Sequence, residues 1–212
     1  SLADEWLEDW LDAERSGLLR SAVHRHVIRG ILECYREGKP ADQQQWWLRA
    51  GSNWNAVCNG GALMAALRWP DFAESSLVES LVETSLEAYA DQGIQADGSS
   101  LESIGYWQYG LIYFSRALLS WETCRRCRHP LLDRPAFREG LDFPFDFSPN
   151  GAAIGFGDAN YFAPPATLLP LFRRAARGDL GAEVLARLAM AWEHQDPHSF
   201  DPYIEPWPDE IY

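Results

Sequence analysis

Phe72-Ala73-Glu74-Ser75-Ser76-Leu77-Val78-Glu79-Ser80-Leu81-Val82-Glu83-Thr84-Ser85-Leu86-Glu87-Ala88-Tyr89 is the stretch whose reading decides the fold. Phe72, Leu77, Leu81, Leu86 and Tyr89 follow the spacing of one helical face, where a half-buried strand would alternate every second residue. Glu79, Glu83, Glu87 and Asp91 recur every four residues on another side. That stripe has the spacing of a cation site, but a solvated outer face is the simpler reading. Pro70 is expected to open this helix.

The same periodicity extends in both directions. Leu18, Ala22, Val27, Ile31 and Tyr35 mark one face of a long helix that stops near Gly38 and Pro40. Beyond the turn Asp97-Gly98-Ser99, Ser99 and Glu102 fit a capping box that opens a helix through Tyr109, Phe114 and Leu118 to about Cys124. Residues 129–161, rich in Pro, Gly and Phe, read as an irregular connection. Helices follow over 163–177 and 180–194, separated by Gly178-Asp179. Strand signals are nearly absent, so the predicted class is all-α, with helical hairpins packed side by side as a bundle or curved into a toroid. Helix starts near Asn53, Ser99 and Phe162 give a loose hairpin period without a strict repeat. Residues 1–195 form the predicted helical domain. Residues 196–212, holding Pro197, Pro202, Pro206 and Pro208, read as a tail or linker.

Composition bounds the function. The 212 residues are 47% apolar and 23% charged, a globular profile. Thirty-one Asp and Glu stand against 18 Lys and Arg, for a net charge of -13. That balance argues against nucleic acid as a partner and requires any polyanion to be met by local donors rather than by a general field. No apolar run reaches the roughly 18 residues of a membrane span, so no membrane role is expected. The first ten residues lack the basic-then-apolar order of a signal peptide; an exported form is expected to have lost its signal already.

Cys34, Cys58, Cys124 and Cys127 are too few for a disulfide scaffold at this length. Cys124 and Cys127 form a lone C-x-x-C with only His129 nearby, short of the four ligands of structural zinc. His24 and His26 lack a Glu at metal spacing and read as surface groups. No metal ligand set and no cofactor is expected in this chain. No G-x-S-x-G elbow and no phosphate loop is present.

Three clusters can carry chemistry. In the first, Trp46 to Gly61, three Trp and three Asn surround a helix start: Trp46, Trp47, Trp54, Asn53, Asn55 and Asn59, with Arg49 among them. Ser52 or Asn53 serves as a cap. Asn55 and Asn59 share a face, and Asn is mildly unfavourable inside a helix, so a partner or ligand is implied. The Gly60-Gly61 pair implies close packing or a local distortion. The second cluster places Glu102, Tyr106, Tyr109 and Tyr113 along one face, with Trp107 between them. An aromatic core stripe explains it, as does a surface on which sugar rings stack and a phenol exchanges protons. The third is Ala153 to Tyr161, where Asp158 and Asn160 either form a turn or face a cleft.

The run Asn53-Trp54-Asn55-Ala56-Val57-Cys58-Asn59-Gly60-Gly61, followed by Asp97-Gly98-Ser99 and Gly105-Tyr106-Trp107-Gln108-Tyr109, resembles the helical domain of the heparinase II/III-like polysaccharide lyases. The resemblance implies an incomplete α/α toroid, with the family's β-rich sandwich domain outside this chain. It implies a uronate-containing polysaccharide or oligosaccharide substrate, of glycosaminoglycan or alginate type, cleaved by β-elimination. By this resemblance Asn53 helps neutralise the uronate carboxylate, and Tyr109 acts as the acid and often as the base, with Tyr106 as fallback. Trp47, Arg49, Trp54, Asn55, Asn59, Glu102, Tyr106, Trp107, Asp158 and Asn160 are the expected substrate-binding residues. Many relatives carry His directly after the Asn, where Trp54 stands here.

A further catalytic His, and a metal where one occurs, come in the family from the sandwich part. The helical portion alone is therefore expected to bind oligosaccharide weakly and to turn it over poorly. The resemblance also favours a periplasmic or secreted setting. The acidic charge fits an exolytic or oligosaccharide-specific enzyme better than an endolyase steered onto long sulfated chains. Two other readings stand beside this one: a glycoside hydrolase using Glu102 and Asp158, and a non-catalytic sugar-binding or scaffold domain.

Overall fold

The computed structural model describes residues 11–36, 45–140 and 143–147, together with positions 168, 171, 182 and 186. These residues are helical, with no strand among them, so the chain is all-α as expected. Its elements are α1 (Ala13–Val23), a π-helical turn (His24–Ile28), α2 (Arg29–Tyr35), a 3₁₀ turn (Trp46–Arg49), α3 (Asn53–Arg68), α4 (Ser75–Gln92) and α5 (Ile104–Arg125). A second 3₁₀ turn (Pro130–Asp133), α6 (Pro135–Glu139) and α7 (Phe143–Asp146) follow. The expected helices over 163–177 and 180–194, the tail from 196, Asp158 and Asn160 lie outside the described residues, apart from the four isolated positions.

The centre of the fold is α3, which packs against both α4 and α5. Ala56, Leu63, Val78, Val82, Leu86, Ile104, Phe114 and Leu118 meet there with almost no exposure. Glycine permits the closest approach. A Cβ on Gly60 would sit 3.0 Å from the Tyr113 carbonyl oxygen of α5, whereas one on Gly61 would meet nothing. The implied close packing thus belongs to Gly60 alone. Gly61→Ala is expected to stabilise the fold by about 0.5–1 kcal/mol through helix propensity, while Gly60→Ala pushes against backbone and destabilises it. Chemical denaturation of the two variants checks the opposite signs.

The structure corrects several boundaries. Helix α4 starts at Ser75, not Pro70, because Pro70 follows the end of α3 and lies in the turn before Phe72 and Ser75 close their backbone bonds to Trp69 and Phe72. The buried face of α4 is Val78, Val82, Ser85, Leu86 and Tyr89, and Leu77 points outward at 54% exposure. The acidic stripe is largely ion-paired rather than simply solvated. Glu79 accepts from Trp121 Nε1 at 3.0 Å and from the Arg125 guanidinium, and Arg134 bonds Glu87 and Asp91. These contacts fasten α4 to the end of α5 and to the segment beyond it.

The first long helix is interrupted by the π-helical turn, whose extra residue per turn shifts the apolar register. As a result Ile28 and Ile31 are buried, while Leu18 is 64% exposed and Ala22 is exposed. His24 is correspondingly not a plain surface group: its Nε2 lies 3.0 Å from Glu74 Oε2, and its ring packs on Phe72. His26 is exposed as expected. The region from 129 is less irregular than its composition implies, since His129 caps a 3₁₀ turn through its Nδ1 and two short helices follow.

Candidate functional site

Helix α3 begins without help from its own cap residue. Ser52 stands at the N-cap position, but its hydroxyl makes no capping bond and is buried without a partner. The free backbone donors are met from a distance. Glu102 accepts from the Asn53 N–H at 2.6 Å and from the Asn53 side-chain amide at 3.0 Å. A carboxylate at a helix N-terminus is favoured by the free N–H groups and by the helix dipole.

This arrangement overturns the capping box expected at Ser99 and Glu102. Ser99 donates to Asp97 instead, and α5 is capped by Ser103, whose Oγ accepts from the Tyr106 N–H at 3.3 Å. Ser103 holds φ at 137°, a region costly for a residue with a Cβ, about 1–3 kcal/mol. The reversal there sends Glu102 back to α3 while Ile104 starts α5.

Glu102 is half-buried, and burial raises its carboxyl pKa from the usual 4.5, against the lowering effect of the Asn53 bonds. A raised folded value means that its contribution to stability is fully present below the ordinary carboxyl range and is lost as pH rises through the folded pKa. Glu102→Gln is therefore expected to fall behind the parent most at the acid end of that window. Denaturant titrations on either side of it read the difference.

Beside Glu102 lies the phenol of Tyr89, a residue the sequence reading placed only in the core. Burial, then the charge of Glu102, push its pKa upward. A Cβ on Gly110 would overlap the Tyr89 hydroxyl and come within 3.3 Å of the Asn53 Cα. The missing side chain at 110 is what lets the start of α3, Tyr89 and the first turns of α5 converge. Gly110, the residue after Tyr109, lies against Asn53 for this reason.

Tyr106, Tyr109 and Tyr113 are half-buried along α5, and Tyr109 meets Tyr113 edge to face at 5.2 Å. Burial first, then Tyr113 and Cys58, push the Tyr109 phenol up to about 12. At neutral pH it is a protonated hydroxyl with a hydrogen to give, and its phenolate is scarcely populated.

Asn53 is itself only 4% exposed, and several other expected contacts are closed off inside the fold. Asn55 is fully buried, its amide donating to the Ala50 and Ser85 carbonyls at 2.8 Å each. Asn59 is fully buried too and donates to Asn55 Oδ1 at 2.9 Å. Tyr35 donates to Asn59 Oδ1 at 2.7 Å and lies 2.5 Å from the Ser85 hydroxyl, and burial pushes its phenol up to about 12. The cost of Asn inside a helix is thus answered by an internal network rather than by a ligand. Trp107 is likewise buried, its indole N–H held by the Gly98 carbonyl at 2.9 Å. Asn55, Asn59 and Trp107 therefore leave the substrate-binding set.

Trp47 is half-buried against the core, while Arg49 and Trp54 are exposed. Cys124 and Cys127 are exposed free thiols, and no group of three His, Cys, Asp or Glu side chains poised for a metal occurs among the described residues. Tyr89 is the neighbour the sequence reading left out of the site, while Trp46, named in the first cluster but not among the expected substrate-binding residues, has its ring 6.4 Å from that of Trp54. The glycine at 110, opposite a tyrosine, was the available cue for Tyr89.

Comparison with family models, curated proteins and solved structures gives no match for this chain.

Proposed function

We propose that this chain is the helical part of a polysaccharide or oligosaccharide lyase that cleaves uronate-containing glycans by β-elimination, with its hairpins forming an incomplete α/α toroid. The carrying observation is the close approach of Asn53, whose amide is held by Glu102, to Gly110, the residue after Tyr109 on α5. β-Elimination needs donors on the uronate carboxylate, so that the C5 proton becomes acidic, a base for that proton, and an acid for the departing O4. Asn53 supplies amide donors. One N–H is held by Glu102, which fixes the side-chain orientation; the other has no partner among the described residues.

Tyr109, held protonated, fits the acid better than the base. A phenol near 12 is scarcely ionised at neutral pH unless a cation lies close, so its phenolate is rarely there to take a proton. The base is therefore assigned to another group, and Tyr109 to the leaving oxygen. Glu102 is a positioning residue in this scheme, since it touches Asn53 rather than substrate.

Digestion of uronate oligosaccharides by the full-length protein tests the reading. Elimination leaves a conjugated double bond that absorbs in the ultraviolet, one absorbing end per new reducing end. New reducing ends without that absorbance would sink it. Such a result would favour hydrolysis with Glu102 as general acid, a reading supported by the raised pKa of that carboxyl.

A further inference from the structure

Cys34 on α2 and Cys58 on α3 are reduced, half-buried thiols that have no part in the proposed chemistry. Their relative position follows from the course of the first helices. Arg20 on α1 bonds Asp71, and His24 in the π-helical turn lies 3.0 Å from Glu74, so that end of the helical run sits where α3 gives way to α4. Tyr35, the last residue of α2, instead reaches the second turn of α3, donating to Asn59 Oδ1 at 2.7 Å. The run from α1 to α2 therefore lies antiparallel to α3.

Successive residues turn by about 100° around a helix axis, and opposite chain directions make those turns mirror each other across the seam between two helices. Cys34 precedes Tyr35 and Cys58 precedes Asn59, so both cysteines swing to the same side of that facing pair. One residue of rise each, in opposite senses, staggers them by about 3 Å along the axes. The electrostatics agree. Burial first, then the Cys34 thiol, push the Cys58 pKa upward, and Cys34 acts on the Tyr35 phenol in the same sense.

The seam leaves room for the two sulfurs to close. Gly30 lies one turn before Cys34 and Gly61 one turn after Cys58, and a Cβ on either would meet none of the described atoms within 4 Å. Helix α2 is short and follows directly on the π-helical turn, so it can roll toward α3 without bending a regular helix. A disulfide asks for Cα atoms about 4.4–6.8 Å apart, and a roll of that kind supplies the approach. Cys124 and Cys127, the pair that the C-x-x-C spacing suggests, are placed differently. Both are exposed, and Arg126 between them takes the left-handed conformation, φ 55°, which carries Cys127 off the helical face that Cys124 occupies.

We propose that Cys34 and Cys58 are a reversible redox pair, joined across the α2–α3 seam by thiol–disulfide exchange with a small disulfide such as oxidised glutathione. One cysteine attacks the incoming disulfide as its thiolate and releases one small thiol; the second cysteine then displaces the other. Both cysteines lose their hydrogens, one S–S bond forms, and the oxidant leaves as two thiols carrying the electron pair. The pair is independent of the elimination chemistry, since no step needs a glycan. It borders the same region, because Cys58 is one of the groups that raise the Tyr109 phenol.

The test uses the full chain carrying Cys124→Ser and Cys127→Ser, which removes the exposed thiols and leaves the pair. Equilibration with oxidised glutathione is expected to consume both remaining thiols, with a mass loss of two hydrogens. Proteolysis should then yield a peptide joining Cys34 to Cys58, and dithiothreitol should reverse the bond completely. Because the bond closes a loop of the chain, Tm is expected to rise by about 5 °C or more. Cys34→Ala and Cys58→Ala in the same background should each take one glutathione on the remaining thiol and show no such rise.

Two glutathiones on the double-serine chain, thiols that stay reduced, or a cross-link that forms only in denaturant would each overturn the pair. These readouts are mass, thiol count and Tm, so a failure to find unsaturated uronate product leaves the pair standing, and loss of the pair leaves the elimination reading untouched.

Discussion

Tyr109→Phe is expected to lower turnover of a uronate glycan by about 10²–10⁴-fold while binding stays within roughly threefold, because only a proton donor is removed. The ring remains, and with it the edge-to-face contact to Tyr113 at 5.2 Å. Folding is therefore little affected, and a melting curve matching the parent is part of the expected result. The pH profile carries the second half of the argument. Burial holds the phenol near 12, so the acid stays loaded throughout the neutral and mildly alkaline range. An alkaline fall in rate well below that value belongs to another group, and it should persist in the residual activity of the variant. Turnover unchanged in Tyr109→Phe but lost in Glu102→Gln would transfer the chemistry to the carboxyl and with it to hydrolysis.

The largest effect on stability is expected at Asn55. Asn55→Asp keeps the shape of the side chain but replaces two donors with acceptors that face the Ala50 and Ser85 carbonyls. The buried carboxyl must then either ionise against those oxygens or take up a proton, and the Asn59 amide loses a neutral partner tuned to it. Breaking a buried polar network in this way costs about 3–5 kcal/mol, which in a chain of this size lowers Tm by roughly 10 °C or more. The loss should ease in acid, where the carboxyl is neutral and can donate one bond. A Tm within about 2 °C of the parent would show that α3 is not held by this network.

Helix class and the main helices were legible in the sequence because apolar spacing reports on burial, and burial dominates this fold. The register of individual faces was less so. Leu77 and Val78 are adjacent and both apolar, and propensity has no means to choose which turns inward; packing against α3 chose Val78. The π-helical turn escaped because its signal is a single extra residue, which looks like noise in a pattern of three and four.

The candidate site divided similarly. The motif paired Asn53 with Tyr109, and what the structure brings against the Asn53 backbone is Gly110, the residue after Tyr109. Asn55 and Asn59 misled because a polar residue inside a helix signals that a partner exists without saying whether it is internal. Here Tyr35 and Ser85, from two other helices, take that place. Glu102 was read as a local cap because Ser-x-x-Glu has the right spacing. Only the three-dimensional turn at Ser103 reveals that its carboxylate serves a different helix.

That borrowed carboxylate also bears on the order in which the chain folds. The residue that completes the start of α3 lies 49 positions further along the sequence. The first turn of α3 is completed only when the α4–α5 connection has been made and has doubled back. The contact closes a long loop, so its entropy cost is met late and raises the contact order of the fold. The first turn of α3 is therefore only as firm as the α4–α5 connection that reaches back to it, and a change that loosens that connection is expected to fray Asn53 as well.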